Sequence, residues 1–115
     1  MELHLIRHGQ TNWNEEKRIQ GQSDSVLTPL GIQQAQSLGQ RLKGIHYDAH
    51  YSSSSVRTRQ TTENAFPQAS TVHFRDNLRE IHLGHWEGNL YAEMAEREPA
   101  SYAHFWDQPH LFAVD

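Results

Sequence analysis

The chain has 115 residues, 36% of them hydrophobic and 21% charged, with a formal net charge of −4 and no cysteine. This length suits one small domain over residues 1–115. The acidic balance argues against nucleic acid as a partner, and the lack of cysteine excludes disulfides, thiolate metal sites and cysteine nucleophiles. No apolar run approaches the about 20 residues needed to span a bilayer, so no membrane partner is expected. The start, Met1-Glu2-Leu3-His4-Leu5, lacks the basic and apolar regions of a signal peptide. A cytoplasmic enzyme or binding module is the expected class.

In chain order, residues 2–7 read as a buried strand, closed by Arg7, His8 and the turn-permitting Gly9. Residues 9–27 are polar and rich in Asn, Gln, Ser and Gly and read as a long loop, a kind of segment that is often functional. Thr28-Pro29 is a helix start, with Thr as N-cap and Pro at the first helical position. Ile32, Ala35, Leu38 and Leu42 then recur at helical spacing, and Gly44 is a suitable terminator. A short strand is expected at 48–51. Ser54 is placed as the cap of a second helix over 55–66, stopped by Pro67. Val72–Phe74 reads as a third strand and 75–89 as a loop. A helix over 90–97 breaks at Pro99, with a further helical stretch at 100–107 in which Tyr102, Phe105 and Trp106 share a core-facing side. Alternating strands and helices predict an α/β fold with parallel strands.

Arg7 and His8 would sit at a strand end, and Arg57 near the start of the second helix. Helix N-termini favour anions. An arginine there adds a planar fork matched to phosphate oxygens. Ligands of open α/β sheets bind at the carboxyl ends of strands, so these three side chains are expected to converge. The alternatives are a solvated charge at Arg57 or an ion pair with Glu63. His82 and His85, with Glu87 nearby, form a weak metal pattern. Gly84 and Gly88 argue for a loop there, and no metal is expected.

The stretch Leu5-Ile6-Arg7-His8-Gly9-Gln10-Thr11-Asn12-Trp13-Asn14 resembles the signature of the histidine phosphatase superfamily, also called phosphoglycerate mutase-like. Gln20–Asp24, Leu27–Gly31, Ser52–Thr61 and Leu78–Gly88 resemble further blocks of that family, in the same order. The resemblance implies a three-layer α/β/α phosphoglycerate mutase-like sheet. It implies His8 as the nucleophile that becomes phosphohistidine and Glu80 as the general acid. Arg7, Arg57 and Asn14 would hold the phosphoryl oxygens, and Gln20 and Gly21 would line the pocket mouth. The substrate would be a small phosphorylated molecule, with no cofactor. For Glu80 to donate a proton it must be protonated part of the time, through burial or the phosphate's own charge. An ion pair with Arg79 or Arg75 is the alternative use of Glu80.

The resemblance breaks in one place. The family carries a second catalytic histidine in a downstream Ser-His-Gly-like segment, and His-Gly occurs in this chain only at residues 8 and 9. In the family fold the strand carrying that histidine lies between the first strand and the one ending near Tyr51. The sheet is therefore expected to be incomplete, with the chain an N-terminal part, completed by more sequence, a complementing chain or a homo-oligomer. Phosphomonoester hydrolysis is the leading expectation, since Trp86–Asp115 lacks the paired arginines of the mutase branch. A cofactor-dependent phosphoglycerate mutase and a non-catalytic phosphate-binding module are the alternatives.

Overall fold

The computed structural model describes residues 1–114 and divides into two compact units, Met1–Asn12 with Asp24–Arg79, and Trp13–Ser23 with Glu80 onward.

The first unit contains helix α2 (Pro29–Arg41), strand β1 (Tyr51–Ser53), helix α3 (Val56–Ala65) and strand β2 (His73–Arg75). The α2 start is as the sequence predicts. The Thr28 Oγ1 accepts from the Gly31 N–H at 3.1 Å, and Pro29 needs no donor partner in the first turn. The helix ends at Arg41, and Gly44 follows with φ +91°. α2 and α3 approach backbone to backbone, for a Cβ added at Gly39 would lie 2.3 Å from the Ala65 carbonyl oxygen. β1 and β2 pair in parallel, Tyr51 with His73 and Ser53 with Arg75, joined by α3. Ser55, one residue after the expected cap, is the N-cap of α3 and makes no side-chain cap bond. The Asp24 carboxylate accepts the Val56 N–H instead, at 3.2 Å.

Residues 2–7 differ from expectation. They form no strand, and Leu3 and Leu5 are 71% and 86% exposed. Strand stability comes from cross-strand pairing and burial, and no described residue pairs with this segment. A pattern suited to a buried strand is therefore left without a strand partner, which fits the incomplete sheet.

The second unit holds helices α1 (Asn12–Glu16, from the unit boundary), α4 (Tyr91–Arg97) and α5 (Pro99–Asp107). α1 lies inside the stretch read as loop. It ends at Glu16, and Lys17, with a φ of +61°, follows and leads into the 17–19 segment. That segment pairs with 88–91: Ile19 N–H donates to Asn89 O, Gly88 N–H to Ile19 O and Tyr91 N–H to Lys17 O. The expected loop at 75–89 carries two 3-10 turns, Asp76–Leu78 in the first unit and Gly84–Trp86 in the second. Ile19, Leu83, Trp86 and Met94 form the buried core, covered by Tyr91, Tyr102, Phe105, Phe112 and Val114. Trp106 departs from its expected place and is 58% exposed. No helix of the described residues is long and apolar enough to cross a membrane.

Candidate active site

The candidate residues are divided between the units. His8, Arg7 and Arg57 belong to the first, and Asn14, Gln20, Gly21 and Glu80 to the second.

In the first unit the sequence around His8 is held by main-chain packing and hydrogen bonds, not by a strand. The His8 Nδ1 lies 2.6 Å from the Gly9 carbonyl oxygen. A carbonyl can only accept, so Nδ1 carries the proton, and a neutral ring has its lone pair on Nε2. The buried Gly9 N–H donates to Thr61 Oγ1 at 3.0 Å, and that hydroxyl donates to the Arg57 carbonyl at 2.8 Å. One threonine thus ties the His8–Gly9 segment to the first turn of α3. Two glycines allow the approach to α2. A Cβ at Gly9 would lie 2.4 Å from Gly31 O, and one at Gly31 would lie 2.0 Å from Gln10 O.

Arg57 is only 4% exposed, so it is not a solvated helix charge. It occupies the first turn of a ten-residue helix, where the dipole and N–H groups already favour an anion. Arg7 is exposed and makes no hydrogen bond or ion pair with any described residue. Ser53, Ser55 and Thr58 form a hydroxyl network around the α3 start, at 2.7–3.0 Å.

In the second unit Asn14 sits on α1, half-buried. Gln20 opens a turn closed by Ser23 N–H to Gln20 O at 2.9 Å, and the buried Gly21 has φ +51°. Glu80 is exposed, and its carboxylate accepts the Ile81 N–H at 2.8 Å. The ion pair offered as its alternative use is not formed, because Arg79 pairs with Asp24 at 3.6 Å. His82 and His85 do not share a partner. His82 Nδ1 lies 3.4 Å from Glu87, and His85 Nε2 lies 2.7 Å from Glu98.

Glu87, in the sequence only a neighbour of the His82/His85 metal pattern, has a different place in the structure. Its carboxylate accepts from Ser23 Oγ at 2.5 Å, Gln22 N–H at 3.0 Å and Leu83 N–H at 2.9 Å. Burial alone would raise its pKa. The bonds from Ser23, Leu83 and Gln22, with the nearby His82, outweigh that and hold the carboxyl below its usual range. The signal was local: an acid between Trp86, an apolar anchor, and Gly88, whose φ of +85° requires glycine.

The profile of the histidine phosphatase superfamily (branch 1) matches residues 3–114. The chain belongs to this superfamily. It is 40% identical over 100 residues to a protein of Salmonella choleraesuis (strain SC-B67) described as a probable phosphoglycerate mutase, GpmB, covering 85% of this chain and 46% of that protein. Among solved structures it is similar to Bacillus stearothermophilus YhfR, with a TM-score of 0.88 and 44% identity over 95% of this chain and 55% of that one. It is also similar to the phosphoserine phosphatase of Entamoeba histolytica solved with 3-phosphoglyceric acid, with a TM-score of 0.76 and 39% identity over 87% and 49% of the two chains. The chain therefore spans about half the length of the curated relatives it matches. Phosphatases and mutase-like proteins both occur among these histidine phosphatase neighbours, and their α/β fold is the one this chain shares in part.

Proposed function

We propose that this polypeptide supplies the nucleophile and anion clamp for phosphomonoester hydrolysis through a phosphohistidine on His8, as one histidine phosphatase domain acting in the cytoplasm on a small phosphorylated substrate. The observation that carries the reading is the His8–Gly9–Thr61–Arg57 chain. It sets the imidazole tautomer and ties its loop to the turn bearing a buried guanidinium.

The chemistry follows from those groups. Phosphoryl transfer has a loose transition state with negative charge on the equatorial oxygens, so positioning and cationic clamping dominate. Arg7 and Arg57 neutralise that charge, with Asn14 as a further donor and Gln20 and Gly21 at the pocket mouth. The His8 Nε2 lone pair attacks phosphorus, the P–O bond to the leaving group breaks, and Glu80 gives that oxygen its proton. Water then attacks the phosphohistidine, the P–N bond breaks, and the Glu80 carboxylate takes the water's proton. The cations that clamp the phosphoryl group do the work a metal does elsewhere, and the reading needs no cofactor.

The runner-up is phosphoglycerate mutation, favoured by the name of the curated Salmonella relative. The third reading is phosphate binding without turnover. Incubation with labelled p-nitrophenyl phosphate, followed by alkaline trapping, separates them. Label on His8 that is lost in H8A, with release of inorganic phosphate, supports hydrolysis. Label with interconversion of phosphoglycerates and no net phosphate release favours the mutase. Phosphate binding with no label on His8 removes both catalytic readings.

A further inference from the structure

We propose that Glu87 is a positioning residue that clasps the Gln20–Ser23 turn to the segment running on from Glu80, so that these two candidate substrate-facing stretches are held as one body. The proposal deepens the reading above, since it takes Gln20, Gly21 and Glu80 as site residues.

The geometry is specific. One carboxylate receives donors from both stretches: Ser23 Oγ and the Gln22 N–H on one side, and the Leu83 N–H on the other. The residues joined lie 64 and 65 positions apart on one side, and four apart on the other. Its Oε2 also occupies the volume a side chain at position 21 would need, for a Cβ at Gly21 would lie 2.4 Å from it. The neighbours anchor the clasp at both ends. Trp86 is fully buried in the core, and the Gly88 N–H donates to Ile19 O at 2.8 Å. An ion pair alone is a poorer account, because the His82 side chain is 61% exposed and 3.4 Å away. A carboxylate accepts at both oxygens and donates at neither, so it suits a site that brings it two N–H groups and one O–H. An amide in its place would turn an NH2 toward at least one of those donors.

The test is Glu87→Gln in the 115-residue chain. Amide exchange at Gln22 and Leu83 should rise about tenfold or more, while exchange in α4 and at Ile19 stays at the wild-type rate. Ser23→Ala, which removes one donor and is gentler on folding, should speed Gln22 and leave Leu83 protected. A positioning role also predicts a leaving-group dependence that a purely structural residue would not give. E87Q should slow His8 phosphorylation by glycerol phosphate, which needs a proton from Glu80, about tenfold more than by p-nitrophenyl phosphate, which does not. Wild-type exchange rates at both amides in E87Q overturn the clasp, as does a uniform rise across the whole chain. Equal slowing of the two esters overturns the positioning of Glu80. If wild-type protein forms no phosphohistidine, the functional reading falls, and the exchange rates alone decide the clasp.

Discussion

Thr61→Val is the substitution that tests most directly how the His8–Gly9 loop is held. Valine has the shape of threonine without the hydroxyl, so the cavity cost is small. What is lost is the acceptor for the buried Gly9 N–H, 3.0 Å away. The Arg57 carbonyl, which also accepts from that hydroxyl, remains within the helical hydrogen-bond ladder of α3. A buried donor left without a partner costs about 1–3 kcal/mol. The expected loss is therefore about 2 kcal/mol, or about 8 °C in Tm at about 4 °C per kcal/mol for a chain of this size. Thr61→Ser keeps the hydroxyl and gives up one methyl, at about 0.8 kcal/mol. Urea unfolding at constant m reads both values. Amide exchange adds a local measure, because the Gly9 amide should lose protection in the valine variant and keep it in the serine variant. His8 phosphorylation should fall about tenfold or more in T61V, since a 1 Å misplacement costs about 100-fold. A T61V stability within 0.5 kcal/mol of wild type, with Gly9 still protected, would refute the reasoning.

Two further outcomes are expected. Trp86→Ala should destabilise the second unit by about 3–5 kcal/mol, because the indole is fully buried, with the rings of Tyr102, Phe105 and Phe112 centred 4.9–6.2 Å away; far-UV circular dichroism melts check it, and a loss below 1 kcal/mol would contradict the core assignment. Glu87 contributes stability that is fully present above its unfolded pKa, near 4.5, and is lost as pH falls through its lower folded value, because its carboxylate is stabilised by Ser23, Leu83, Gln22 and the adjacent His82. The stability gap between wild type and E87Q should thus shrink below about pH 4.5, and a gap that widens on acidification would oppose the assignment.

Local rules located most of the helices. Thr28-Pro29 marks the start of α2 because a cap and a fixed φ act within one turn. Pro67 follows the end of α3, and Pro99 opens α5. Long-range terms explain the misses. Residues 2–7 alternate and cluster like a buried strand, yet a strand exists only against a neighbour, and nothing in the local pattern says whether one is present. α1 is not legible because four of its five residues are polar and carry little helix signal; the Thr11–Leu27 and Arg18–Leu90 bridges frame it from outside. The α3 cap lies one residue past the expected Ser54 because the accepting carboxylate comes from Asp24, far back in the chain. In the candidate site, Arg57 was placed correctly at a helix start, but its burial was not readable from a polar helix. The place of Glu87 is equally unreadable locally: two of its three donors lie more than 60 residues away in the chain.

The glycine pair at 9 and 31 has a consequence for how this protein can change over time. Where two main chains touch, no side chain stands between them to be traded for a slightly larger or smaller one. The reach of the imidazole loop over α2 is therefore not adjustable in small steps. Drift on the outer surface of the helix leaves that spacing untouched, while a single methyl at either glycine would have to displace the peptide opposite. Selection acting on substrate preference would be channelled away from this contact and toward the loops and side chains that surround it.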